Sequence, residues 1–70
     1  MITKEQALTA DHFTSTTWVN SDGTPQRFRR NGKTKTWKRQ PERFEIPVKY
    51  GLDGYGYITE NNAHRFNAEQ

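Results

Sequence analysis

Residues Arg43 to Tyr50 alternate without a break: Phe44, Ile46, Val48 and Tyr50 fall on one side, Arg43, Glu45, Pro47 and Lys49 on the other. A period of two belongs to a strand with one dry face and one wet face, and such a strand needs a sheet to complete it. Pro47 has no N–H to give a neighbour, so this strand lies at an edge or turns that gap toward solvent. The chain around it is poor in aliphatic side chains. Leu, Ile, Val and Phe together number 11 of 70 residues, a fraction at which disorder competes unless other apolar area is found. Nine aromatic residues supply it: Phe13, Trp18, Phe28, Trp37, Phe44, Tyr50, Tyr55, Tyr57 and Phe66. Each can bury roughly 150–250 Å², and a net charge of +3 is too small to hold the chain open. The expectation is one small, marginally stable domain with an aromatic core, spanning residues 1–70.

Local signals divide that domain. Thr3-Lys4-Glu5-Gln6 has the form of a capping box, which starts a helix at Lys4 and suggests a short N-terminal helix over 3–12, with His12 finishing it. From Phe13 the residues turn β-branched and aromatic, and antiparallel strands are expected over 14–59. Asn20-Ser21-Asp22-Gly23-Thr24-Pro25 reverses the chain, Asn31-Gly32 suits a two-residue hairpin turn, and Asp53-Gly54 suits another. Asn61-Asn62 caps a short turn within a polar tail, 61–70. Five short strands with turns every eight to twelve residues predict a mainly β (α+β) fold: a small five-stranded curled sheet or partly open barrel with a short N-terminal helix.

Several function classes drop out. Without cysteine there is no disulfide scaffold, thiolate zinc site or thiol nucleophile. No apolar run exceeds two residues, so no membrane span is expected, and nothing behind Met1 has the form of an export leader. His12 and His64 are 52 positions apart without a ligand cluster around either, so no metal and no cofactor is expected. Gly51, Gly54 and Gly56 do not have phosphate-loop spacing and fit turns and sheet curvature better. His12 with Asp11, or His64 with Glu60, lacks a nucleophile or an implied pocket, so no enzyme is expected.

The charge is unevenly placed. Residues 25–50 hold nine cations against Glu42 and Glu45, whereas the rest of the chain holds Lys4 and Arg65 against six acids. Between Arg27 and Arg39 stand seven cations and no acid. Like charges crowded on one ribbon repel, so the concentration asks for a reason. A turn at Asn31-Gly32 would set Arg30 against Lys33, Phe28 against Lys35 and Gln26 against Trp37 on one side, and Arg29 against Thr34 and Arg27 against Thr36 on the other. Such a hairpin would project and grip a polyanion, DNA or RNA, through Arg27, Arg29, Arg30, Lys33, Lys35, Lys38 and Arg39, with Trp37 as a stacking or anchoring ring. The bland alternative makes Phe28 and Trp37 core and the cations a solvated face. Tyr50, Tyr55 and Tyr57 pose the same choice: with a turn at Asp53-Gly54, Tyr50 and Tyr57 become cross-strand neighbours, and core packing with hydroxyls at the surface is favoured over a stacking surface.

The run Asn31-Gly32-Lys33-Thr34-Lys35-Thr36-Trp37-Lys38, followed by Pro41, Phe44 and Ile46-Pro47-Val48-Lys49-Tyr50-Gly51-Leu52, resembles a pattern in small accessory proteins of tailed bacteriophages. Asp22-Gly23-Thr24-Pro25 and Tyr57-Ile58-Thr59 extend the likeness, which leaves the N-terminal helix outside. The resemblance implies a phage-encoded protein in a bacterial host cytoplasm that binds nucleic acid or occupies a host protein, and it implies no site residues. The function expected is a small accessory binding protein contacting nucleic-acid backbone through the basic hairpin. The alternative is an inhibitor or adaptor that docks the same hairpin on an acidic host-protein surface.

Overall fold

The computed structural model describes residues 2–69; Met1, behind which no leader was expected, and Gln70, the end of the expected tail, lie outside them. The capping box forms: the Gln6 backbone N–H donates to Thr3 Oγ1 (3.1 Å) and the Thr3 N–H donates to Gln6 Oε1 (3.0 Å). It starts the helix α1 (Lys4–Thr9), which is shorter than expected because the chain is already extended at Ala10. Six strands follow: β1 (His12–Val19), β2 (Pro25–Arg30), β3 (Lys35–Trp37), β4 (Gln40–Tyr50), β5 (Gly54–Thr59) and β6 (Phe66–Glu69), with a 3-10 turn at Ala63–Arg65 before β6. His12, expected to finish the helix, instead opens β1.

All pairings are antiparallel, and the body is a curled, open five-stranded sheet in the order β5-β4-β2-β1-β6. It forms a half-barrel, mainly β, with the short helix against it. The segment expected as a polar tail supplies β6, which pairs Phe66 with Ser15 and Ala68 with Phe13. Four residues are too few for their alternation to stand out in the sequence, and β6 is held by what it covers.

The hairpin expected at Asn31-Gly32 does not form. Arg29 and Arg30 pair with Lys49 and Val48, and Lys35 and Thr36 pair with Glu45 and Phe44. Thus β2 and β3 run in one direction along the same edge of β4, and residues 31–34 form a bulge opposite 46–47. The reversal comes later, at Lys38-Arg39 between β3 and β4. The expected register would have put Lys33 and Lys35 on the side of Phe28, whose ring packs at 5.4 Å on both Phe66 and Tyr50. Ammonium groups there would lose water without gaining a partner, whereas β4 brings Val48 and Ile46 to the same edge. Pro47 fits the bulge: its carbonyl accepts from the Asn31 N–H (2.8 Å), so its missing N–H faces the bulge and the ladder with β5 is intact. Gly32 crosses over the proline with φ +142°, and a Cβ there would lie 3.2 Å from Pro47 Cγ.

Two further register shifts decide which face each ring occupies. Thr14 pairs with Arg27 but Val19 pairs with Pro25, an offset of three that turns Trp18 onto the face of Phe28 and Phe66 (ring centroids 6.5 and 6.4 Å). The buried Ser15 hydroxyl accepts the Thr17 and Trp18 N–H groups freed by this bulge (3.1 and 2.8 Å). Beyond β4, the chain turns through Gly51–Asp53 and pairs Tyr50 with Gly54. The expected Asp53-Gly54 turn would have paired Tyr50 with Tyr57. The observed pairing is displaced by an odd number of residues, which sends Tyr57 to the other side of the sheet.

The inner face carries the core: Phe13, Ile46, Val48, Ile58 and Phe66, closed at one end by Ile2, Ala7 and Ala10 from α1 and its flanks. This core is smaller and less aromatic than expected. Trp18, Tyr50, Tyr55 and Tyr57 are all exposed, because the half-barrel stays open between its edges β5 and β6 and its rings line that mouth or stand outside it.

Candidate nucleic-acid interface

Residues of β2, β3 and β4 that point away from the core form one basic face. Across the sheet, pairings set Tyr55 beside Lys49, Lys49 beside Arg29, Arg29 beside His12 and His12 beside Glu69, at steps of about 4.8 Å. Arg29 and Lys49 are thus like charges directly opposite each other, an arrangement that costs stability. The displacement between β2 and β3 is even, so Lys35 keeps the face of Arg29. β4 is 11 residues long, about 36 Å at roughly 3.3 Å per residue, while β5 follows it only as far as Glu45. Glu60 Oε1 accepts the Phe44 N–H (3.1 Å) at that point. Beyond it, β3 and β4 stand alone as a two-stranded ribbon ending in Lys38 and Arg39, and the molecule measures 42 × 22 × 20 Å.

Trp37 sits on this ribbon, half-buried under cations. The Arg43 guanidinium lies 4.1 Å from the ring centroid and the Lys35 ammonium 5.1 Å. These contacts hold the two long side chains in place on the ring and occupy the ring itself. Trp37 therefore organises charge on the ribbon. No protein family, curated protein or solved structure matches the chain.

Besides Trp37, the seven cations singled out from the sequence separate into two groups. Arg29, Lys33, Lys35, Lys38 and Arg39 are exposed, and among the described residues the one ion pair is Arg27–Glu69. Arg27 Nε donates to Glu69 Oε2 (2.7 Å), which also accepts from the Thr14 hydroxyl (2.8 Å). The Arg27 bond first, then Thr14, holds the Glu69 carboxyl below its ordinary value, and the same bond raises Arg27. This pair clamps β2 and β6 across β1. Arg30 points the other way. Its Nε donates to Ala10 O (2.7 Å) and its Nη2 to Ala7 O (2.8 Å), with Nη1 on the Thr34 hydroxyl, and its guanidinium lies over the Phe13 ring at 5.7 Å. It caps the carbonyl end of α1. Burial lowers its affinity for the proton, partly offset by Asp11.

Arg43 and Lys49 belong to the face but were not among the residues chosen from the sequence. The alternation through Arg43–Tyr50 had already placed both on a wet side; what it lacked was the pairing partner of β4. No helix among the described residues is long and apolar enough to cross a membrane, and no three metal-ligating side chains cluster among them.

Proposed function

We propose that this chain is a non-enzymatic binding module that lays its basic face, from Arg29 and Lys49 out to Lys38 and Arg39, along a nucleic-acid backbone. One observation carries the reading. Seven cations on β2, β4, the bulge and the ribbon (Arg29, Lys33, Lys35, Lys38, Arg39, Arg43 and Lys49) have no ion-pair partner among the described residues; Glu45 lies opposite Lys35, but one carboxylate does not balance them, and their crowding is unfavourable without a further anion. The ribbon is long, thin and charged at its end, a shape that reaches along phosphates rather than enclosing a small molecule. The setting, a bacterial cytoplasm with the protein as a phage accessory factor, rests on the resemblance over residues 20–60.

The test is a fluorescence-anisotropy titration with labelled oligonucleotides over a range of salt. Affinity should fall linearly with salt on logarithmic axes, and Arg29→Ala, Lys38→Ala and Arg39→Ala should each flatten the slope by roughly 0.7–0.9. No binding at low salt, together with a nuclease-resistant protein partner recovered from bacterial lysate, would replace this reading with the acidic host-protein surface.

A further inference from the structure

Tyr55 and Tyr57 are the large exposed rings that neither the core nor the ribbon uses. They are 69% and 63% exposed, two residues apart on β5, and therefore about 6.7 Å apart on the same outer face. Between and beside them lies a shallow groove of about 240 Å³ lined by Asn31, Pro47, Tyr55 and Tyr57. Pro47 is the cross-strand partner of Tyr57 and gives the groove an apolar floor. On the other side of Lys49 is a second concavity of about 480 Å³, lined by His12, Arg27, Arg29 and Lys49. Lys49 forms the ridge between them, its ammonium 5.4 Å from the Tyr55 ring centroid. A ring-lined slot and a cation-lined basin thus adjoin on one face, with two strand spacings, about 10 Å, from Tyr55 to Arg29.

We infer that the nucleic acid taken by this face is single-stranded, its bases stacking on Tyr55 and Tyr57 while its phosphates lie against Lys49 and Arg29. The inference rests on the function proposed above and names the strand class. The faces of duplex bases are already stacked on one another and cannot reach the tyrosines, whereas an unpaired base offers a ring face that any exposed aromatic can take. The backbone then follows the cations beside the rings, as the basin provides. Asn31, on the bulge, borders the slot where the edge of a stacked base would fall.

The experiment compares labelled oligothymidylate with its duplex on oligodeoxyadenylate, using the full chain. The single strand should bind at least roughly tenfold more tightly. Tyr55→Ala and Tyr57→Ala should each weaken it by roughly five- to 150-fold with the salt slope unchanged, and Tyr55→Phe and Tyr57→Phe should restore it, because the ring and not the hydroxyl does the stacking. Both tyrosines are exposed, so thermal melting of the variants should match the parent. Equal binding of both strand forms, or alanine variants that bind like the parent, overturns the platform. If those variants bind normally while Lys38→Ala and Arg39→Ala lose affinity, the basic-face reading survives and only the stacking platform fails. If the parent binds neither oligonucleotide, both fail together.

Discussion

Arg29 and Arg30 are adjacent in sequence and point to opposite faces of β2, and this alone gives them different work. Arg30 is half-buried and holds the carbonyls of Ala7 and Ala10, so Arg30→Met takes the side-chain donor from Ala10 and from the Thr34 hydroxyl and leaves Ala7 with the Thr34 hydroxyl alone. The loss should be about 1.5–3 kcal/mol, read as a lower midpoint in urea unfolding. Arg29 faces Lys49 and holds no carboxylate. Arg29→Ala should change stability by no more than about 0.5 kcal/mol, and relief of the like-charge contact sets its sign as stabilising. A run of cations in a sequence carries no mark of this division. Alternation would have shown it once the residues were known to lie on a central strand, but Arg27 to Arg30 reads as charge throughout apart from Phe28.

At the scale of elements, every strand but β6 was legible, whereas the registers and the place of β3 were not. The capping box at Thr3 and the alternation in β4 are local signals, and both formed as expected. The choice between folding β3 back on β2 and running it along β4 was decided by where lysines would be buried, which depends on the whole sheet. Asn31-Gly32 is a strong hairpin signal in isolation, and the structure uses its conformational freedom for a bulge over Pro47 instead. The β4–β5 connection offers a sharp test. A Cβ on Gly54 would lie 2.6 Å from the Tyr50 carbonyl oxygen, while one on Gly56 meets nothing within 4 Å. Gly54→Ala should cost roughly 1–3 kcal/mol, and Gly56→Ala should be neutral or stabilising by up to about 1 kcal/mol, compared by thermal melting. The clamp on β6 depends on pH. Because Glu69 has a lowered folded-state value, its contribution is present above the usual carboxylate range near about 4.3 and is lost as pH falls through and below it. The difference in melting temperature between the parent and Glu69→Gln should therefore shrink on acidification.

The whole molecule exposes more surface than its mass requires. At 8.2 kDa a compact monomer would present about 4,500 Å², against the 5119 Å² found here, and the ribbon and open mouth are where the excess lies. With so small a core, stability rests at the low end of the usual range, and a bound polyanion should raise it. At an oligonucleotide concentration about 100 times Kd, the gain is about 2.7 kcal/mol, which for a chain this size moves the melting temperature by roughly 10–20 °C; an unbound control peptide of equal charge should produce no such shift. The separation between a dry inside and a charged outside is kept by arithmetic. Two odd displacements, between β1 and β2 and beyond β4, send Trp18 inward and the β5 tyrosines outward, and the even one between β2 and β3 keeps Lys35 outside. The Gly51–Asp53 connection leads β5 into that register: a slip of one residue against β4 would exchange the tyrosines with Ile58 and turn that flank of the protein inside out, whereas a slip of two would leave each side chain on its own face.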